Sequence, residues 1–222
     1  MTFLRQSLAI AGKDLRVEAR GRQALGTLLP FAATLLVAFG FAFGPGQAVL
    51  RRTAPGLLWV AVLFASVMAA RRAYQAETED GALEGLLLAP VDRAAVYVGK
   101  LAAIVVELLG LVAVVCLLVV VLFDLTFTSP LVLLAAFGLG VVGLAAVGGL
   151  FGVVAEAART REAVFPLLVL PLVTPVLIAG VRATDLAATG ASEAVSWLGL
   201  LLAFDVAFVS LGLLVFGPLL ED

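Results

Sequence analysis

Long apolar runs separated by short polar segments dominate the pattern of this chain. Six of these runs approach or exceed the roughly 20 residues that a helix needs to cross a bilayer. They cover about residues 24–43, 54–70, 95–123, 130–155, 163–182 and 194–219. The second run is short, so we expect Arg71 and Arg72 to extend from its end toward the interface. The pattern predicts an all-α integral membrane protein with six transmembrane helices in a single domain, residues 1–222.

The pattern of the first 22 residues predicts a helix of a different kind. Leu4, Leu8 and Leu15 recur near one face, whereas most of the basic residues fall elsewhere. A basic amphipathic helix binds an anionic lipid surface through apolar burial and through charge. The segment has no uninterrupted apolar core followed by a small-residue cleavage site. We therefore expect residues 1–22 to form an interfacial helix, and we expect no cleaved signal peptide.

Composition supports the membrane class and limits the chemistry. The chain has 222 residues, of which 63% are hydrophobic and 14% charged, whereas soluble domains are about 45–50% apolar. It contains no histidine, which excludes histidine-dependent catalytic triads and imidazole ligands to haem or zinc. It has neither a GxxxxGK[ST] phosphate loop nor a basic tract suited to nucleic acid. We therefore expect no catalytic site, no metal site and no ATPase in this chain.

The distribution of lysine and arginine predicts the orientation. Eleven of the 14 lie in the N-terminal segment, between positions 71 and 100, or at positions 159 and 161. The other three, Arg51, Arg52 and Arg182, fall in or next to connections on the opposite side. Because basic residues accumulate on the cytoplasmic side, we expect both termini and residues 71–93 in the cytoplasm.

The polar segment 71–93 contains a second, shorter helical pattern. Its candidate residues are Glu77, Glu79, Asp80, Gly81, Leu83, Glu84, Leu86, Leu87 and Pro90. The aspartate is predicted to cap the helix, the three leucines to share one face, and the proline to end it. The acids at its start favour the positive end of the helix dipole. Asp92 is predicted to cap the following transmembrane helix.

Two interpretations of this short helix remain open on these grounds. It is either a solvated loop whose leucines rest on the membrane surface, or a coupling helix. ABC-type permeases use coupling helices to fit a groove on a separate nucleotide-binding subunit. Since this chain has no phosphate loop, any dependence on ATP must come from such a partner.

Three runs resemble the haem exporter protein B family, the membrane permeases of bacterial cytochrome c maturation. They are PGLLWV at 55–60, EDGALE with LLLAP at 79–90, and LLVLPL with PVLI at 167–178. The resemblance covers nearly the whole chain, and the length, the six spans and the cytoplasmic N-terminus also fit. It implies an ABC exporter permease-like fold in a bacterial inner membrane, with 71–93 as the coupling segment.

The resemblance also implies partners. They are a cytoplasmic ATP-binding subunit that binds the ATP, membrane subunits that handle haem, indirectly a periplasmic haem chaperone, and a second permease copy. Haem would be the substrate or be held by partners, because this chain offers no imidazole. Either haem export or release of the haem-loaded chaperone fits the family. The alternatives are a related ABC exporter for lipid or drug, and a stand-alone proton-coupled carrier.

Several residues within or beside the spans are candidates for a transport pathway. Glu107 and Asp205 lie inside spans, where an ionised carboxylate costs a few kcal/mol or more, so they line a path or make helix–helix contacts. Arg51 and Arg52 mark the external mouth, as interfacial anchors or as partners for a haem propionate or an acidic surface. Trp59, like Trp197, is expected to anchor at the interface, with ligand stacking as the alternative.

The fifth and fourth spans have unusual compositions. Pro166, Pro171 and Pro175 interrupt the fifth span, which predicts either a static kink or a broken, moving element. The fourth span contains Gly138, Gly140, Gly143, Gly148, Gly149 and Gly152. These glycines predict close approach of neighbouring helices.

Overall fold

Seven α-helices make up the described part of the chain. The computed structural model describes residues 2–21, 23–44, 46–79, 92–157, 164–190 and 193–219. The helices are α1 (Phe3–Gly21), α2 (Gln23–Phe43), α3 (Gln47–Glu79), α4 (Arg93–Phe123), α5 (Pro130–Ala157), α6 (Val164–Thr189) and α7 (Ala194–Leu219). Helices α2 to α7 each contain a stretch long and apolar enough to cross a membrane. The predicted all-α membrane fold with six spans is therefore confirmed.

Helix α3 is longer than predicted at both ends. It begins at Gln47, so Arg51 and Arg52 lie in its second turn and not in a connection. At its other end it continues through residues 71–79, most of which are good helix formers. The prediction that a loop begins at residue 71 is therefore wrong for the first nine residues of that segment.

Helix α6 also extends further than predicted, to Thr189. Gly190 ends it with a φ of 77°, and its N–H donates to the Leu186 carbonyl at 2.8 Å. Glycine adopts this left-handed conformation without steric cost. Pro171 and Pro175 lie inside a continuous helix, so the fifth span is not broken at either proline.

Helices α3 and α5 form the centre of the bundle. Of their apolar stretches, 72% and 61% are buried, against 17% for α2 and for α7. Helix α5 packs against α3, α4, α6 and α7, whereas α2 contacts α3 and α4 from one side. The outer faces of α2 and α7 carry the exposed apolar side chains that a membrane helix presents to lipid.

Trp59 of α3 is fully buried at the contact of α3 with α5 and α6. Its indole Nε1 donates to Thr184 Oγ1 of α6 at 2.9 Å. A Cβ atom at Gly140 or Gly180 would lie 2.1 Å or 2.6 Å from the indole ring. The prediction that Trp59 anchors at the membrane interface is therefore wrong, because its N–H is satisfied inside the bundle. Trp197 is half-buried against the same core.

Gly140, Gly143 and Gly148 of α5 permit the close packing that the sequence predicts, whereas the prediction is wrong for Gly138, where a Cβ would meet nothing within 4 Å. Gly140 receives the Trp59 ring, and a Cβ at Gly148 would lie 2.9 Å from the Ala70 Cβ of α3. A Cβ at Gly143 would lie 2.8 Å from an Asp205 carboxylate oxygen of α7. Helix α5 thus approaches α3 and α7 closely at positions where any residue larger than glycine would displace the neighbouring side chains.

We predict that Gly140→Ala lowers the stability of the bundle. The added methyl group would enter the Trp59 ring, and overpacking of this kind costs about 1–3 kcal/mol. Thermal unfolding of the detergent-purified protein measures the loss. Combining the change with Trp59→Phe should recover part of it, because the smaller ring leaves room.

Gly138→Ala is the matched control on the same helix, because a Cβ there meets nothing within 4 Å. Alanine is the better helix former, so Gly138→Ala should leave the melting temperature unchanged or raise it. Equal losses in the two variants would contradict the close contact at Gly140.

Candidate functional site

Charged residues from three helices meet where α3 and α4 approach the connection 80–91. Asp14 and Glu18 come from α1, Arg72 from α3, and Lys100 and Glu107 from α4. We name these five residues the ionic cluster. Charges placed this close to the apolar bundle are stable only when they satisfy one another.

Lys100 joins all three helices. Its side chain is 1% exposed, and its Nζ donates to the Ala73 carbonyl of α3 at 2.6 Å. The same Nζ lies 3.7 Å from Asp14 Oδ2 of α1. A buried ammonium needs such partners, because an isolated charge in an apolar site is strongly unfavourable. Lys100 therefore fixes α1 and the end of α3 against α4.

Arg72 and Glu107 form the second contact of the cluster. A guanidinium Nη2 of Arg72 donates to Glu107 Oε1, and both side chains are mostly buried. Glu18, four residues after Asp14 on α1, adds a negative charge close enough to act on Glu107. The expectation that Arg72 extends freely to the interface is wrong. Of the two roles open for Glu107, the structure shows a helix–helix contact.

Helix α1 packs against α4 on one face and exposes apolar side chains on another. Ser7 and Ile10 lie so close to Gly99 that a Cβ there would be 2.8 Å from the Ser7 carbonyl and from Ile10. Leu4 and Leu8, on another face, remain about two-thirds exposed. This arrangement agrees with an interfacial helix whose leucines contact lipid while its neighbouring face contacts protein.

The start of α4 is capped as the sequence predicts. Asp92 Oδ1 accepts a hydrogen bond from the Ala94 N–H at 2.9 Å. The Asp92 N–H in turn donates to Gln6 Oε1 of α1 at 3.4 Å. The α1 helix therefore contacts the first residue after the connection 80–91 as well as the helix that follows.

The proposed coupling residues fall mostly outside the described residues. Those outside are Asp80, Gly81, Leu83, Glu84, Leu86, Leu87 and Pro90. Glu77 and Glu79 lie in the last turns of α3, and their side chains are likewise outside the described part. The short coupling helix therefore stays a prediction, while the structure describes the helices that lead to it and from it.

The pathway candidates have separate partners. Arg51 pairs with Asp124 of α4, Glu107 with Arg72, and Trp59 with Thr184. Arg52 is exposed in the second turn of α3. Among the described residues, no single cavity is lined by all of these side chains.

Asp205 of α7 is the exception among the pathway candidates. It is 5% exposed, and within the described part of the chain neither carboxylate oxygen has a hydrogen-bond partner. It faces the α5 backbone at Gly143. An unsatisfied carboxyl group inside a span is costly. Among the pathway candidates, Asp205 is the buried carboxyl group without a hydrogen-bond partner among the described residues.

Sequence reasoning missed Asp14 and Lys100 as parts of this site. One signal for Lys100 was available, since it precedes Glu107 by seven residues and therefore shares its face of the helix. No comparable signal pairs Lys100 with α1, because that contact joins positions 86 residues apart, and only the packing of α1 on α4 brings them together.

We predict that Lys100→Met destabilises the protein by about 1–3 kcal/mol, because the Ala73 carbonyl loses a buried donor and Asp14 loses a neighbouring positive charge. Lys13→Met is the control. Lys13 lies 3.2 Å from the same aspartate but is half-exposed, and exposed pairs contribute about 0–1 kcal/mol. Chemical denaturation in detergent micelles compares the two, and an equal effect would show that burial does not determine the strength of the cluster.

Comparison with known proteins assigns the sequence to one family. The family model described as CcmB protein matches residues 5–220. Heme exporter protein B of Paracoccus denitrificans is 33% identical over 184 residues, covering 82% of this chain and 84% of the relative. Heme exporter protein B of Rhodobacter capsulatus is 31% identical over 204 residues, covering 91% of this chain and 93% of the relative. This membrane protein therefore belongs to the CcmB protein family.

Proposed function

We propose that this chain is the permease subunit of an ABC transporter complex in cytochrome c maturation. One observation carries the proposal: the family match extends over residues 5–220, and relatives that cover most of the chain are named heme exporter protein B. The chain acts without a catalytic site of its own. A separate cytoplasmic subunit binds and hydrolyses ATP, since the sequence has no phosphate loop.

The coupling segment 71–93 is the proposed docking point of that subunit. In the predicted coupling helix the leucines share one face, which would suit insertion into an apolar groove. The acids beside them would suit a groove with basic residues at its rim. The ionic cluster supports this role, because it joins α1, α3 and α4 beside the connection. A displacement of the docked segment would therefore move all three helices together.

Helix α3 is the proposed route from the docking point to the core. It runs without interruption from Arg72 in the ionic cluster to Trp59 at the centre of the bundle. These 13 residues correspond to about 20 Å of helix at 1.5 Å per residue. A tilt of α3 at its cytoplasmic end would move the Trp59 ring against Gly140 and Gly180, where no free space remains.

Haem is the proposed substrate, either exported or carried by the chaperone whose release the complex drives. This chain has no histidine to hold the iron, so the axial ligands come from the haem-handling membrane subunits. Two permease copies complete the transporter in the bacterial inner membrane. Both termini face the cytoplasm, in accordance with the distribution of basic residues.

A triple variant tests the docking proposal. Glu79→Gln, Glu84→Gln and Leu86→Ala together remove two acids and one leucine from the segment. We expect the ATP-binding subunit encoded beside this chain to be lost from the purified complex by at least about tenfold, as removal of a few interface anchors commonly does. Quantitative immunoblotting of affinity-purified membranes measures the ratio of the two subunits.

The matched control places the same changes at the opposite end of the bundle, as Asp185→Asn, Glu193→Gln and Leu131→Ala. Leu131 is largely exposed, so the control should retain both the fold and the ATP-binding subunit. The docking proposal is wrong if the two triple variants retain that subunit equally.

A proton-coupled carrier is the second candidate, and the unpartnered Asp205 carboxyl group favours it. In such a carrier, Asp205→Asn would abolish transport, while the coupling variant would have no effect. In the ABC permease, the coupling variant abolishes haem delivery to the chaperone. Measuring haem-loaded chaperone in cells that express each variant separates the two functions.

A further inference from the structure

An apolar groove lies between α2, α3 and α4 at the end of the bundle opposite to the ionic cluster. Its volume is about 430 Å³, and its lining includes Leu36, Gly40 and Phe41 of α2, Leu50 of α3 and Phe123 of α4. This volume falls within the range of about 300–1,000 Å³ typical of pockets for small ligands. The groove is distinct from the Trp59 core and from the proposed coupling segment.

The groove begins near the end of α2 and continues along the part of that helix that could cross a membrane. Phe43 ends α2, and Leu36 lies seven residues earlier, about 10 Å deeper along the helix. Phe41 is 85% exposed beside the opening. Because α2 is among the least buried spans, a molecule diffusing in the bilayer reaches the groove from the side.

A salt bridge lies at the shallow end of the groove. Arg51 and Asp124 directly follow the lining residues Leu50 and Phe123 in the chain, and an Arg51 Nη2 pairs with Asp124 Oδ2. Asp124 adopts a left-handed conformation as the C-cap of α4. The two side chains are 46% and 66% exposed. A guanidinium has five N–H donors and a carboxylate has two oxygens, so both groups keep bonding capacity for a ligand.

We propose that this groove binds a phospholipid whose headgroup carries both a phosphate and a primary ammonium, namely phosphatidylethanolamine. The phosphate accepts hydrogen bonds from the Arg51 guanidinium, and the ammonium donates to the Asp124 carboxylate. One acyl chain occupies the apolar groove below. The paired charges at the rim select this zwitterionic headgroup over an anionic one, because an anionic headgroup would meet the carboxylate without compensation.

Native mass spectrometry of the detergent-purified protein tests the site with three dioleoyl lipids added separately: phosphatidylethanolamine, phosphatidylglycerol and phosphatidylcholine. We expect the wild-type protein to retain phosphatidylethanolamine best. Phosphatidylglycerol lacks the ammonium, and the quaternary ammonium of phosphatidylcholine has no N–H to donate. Val37→Trp fills the groove and should reduce retention of phosphatidylethanolamine by about tenfold, as should Arg51→Gln.

Asp124→Asn gives a test that loss of folding cannot imitate. It replaces the carboxylate by a neutral amide, which weakens the contact with the ammonium and leaves the guanidinium without a counter-charge. The preference should therefore change from phosphatidylethanolamine to phosphatidylglycerol. Arg182→Gln, at an exposed arginine of α6 near the same end, should leave the wild-type preference unchanged.

Three results would overturn the proposal. They are equal retention of the three lipids by the wild-type protein, an unchanged preference in Asp124→Asn, and displacement of the bound lipid by haem at equal concentration. The protein could also prove to be a dimer that Val37→Trp dissociates whether or not lipid is present. That result would identify the occupant of the groove as a second copy of the chain.

Discussion

The pairing of opposite charges in the ionic cluster is the constraint on which the described architecture depends, although Asp14 Oδ2 and Arg72 Nε have no hydrogen-bond partner among the described residues. Lys100 is almost fully buried, and the Ala73 carbonyl and the Asp14 carboxylate are among the partners that stabilise its ammonium there. Buried ion pairs contribute little net stability compared with apolar packing, but breaking one is costly. The cluster therefore acts mainly by permitting one arrangement of α1, α3 and α4 and penalising the alternatives.

The same helices connect this cluster to the interior. Helix α3 carries Arg72 at one end and Trp59 in the middle, and Trp59 fills the space that Gly140 and Gly180 leave open. Interiors packed at this density respond to displacement by shifting as units, because no void absorbs the change. The proposed coupling to an external ATPase needs such a connection, which α3 would provide between the Arg72–Glu107 pair and the Trp59 contact.

The sequence predicts the helices of this protein better than it predicts their contacts. Length and apolarity were sufficient for six spans, because lipid requires every backbone group to be bonded within a helix. The ends were less predictable: α3 continues through the polar residues 71–79, where helix propensity and the Arg72–Glu107 pair outweigh polarity. An indole prefers the interface, so the sequence alone predicts Trp59 there, whereas the bundle supplies Thr184 as the acceptor for its N–H.

The candidate site shows the same difference between local patterns, which the sequence predicts, and contacts between distant residues, which it does not. The motif at 79–84 and the capping role of Asp92 could be read from local pattern, and the Asp92 cap is confirmed. The pairs Lys100–Asp14 and Arg51–Asp124 join positions far apart in the chain, so no local periodicity predicts them. The glycines of α5 predicted close packing, but the identity of the ring that occupies Gly140 depends on which helices become neighbours.

Docking of a separate ATP-binding subunit at the coupling segment 71–93 is the central claim, and site-specific photo-crosslinking tests it most directly. A photoreactive amino acid placed at Leu83, and one placed at Leu134 near the start of α5, are compared in native membranes that contain the whole complex. Docking predicts a crosslink to the ATP-binding subunit from position 83 and none from position 134. A crosslink from position 134, or none from position 83 while the two subunits still co-purify, would contradict it.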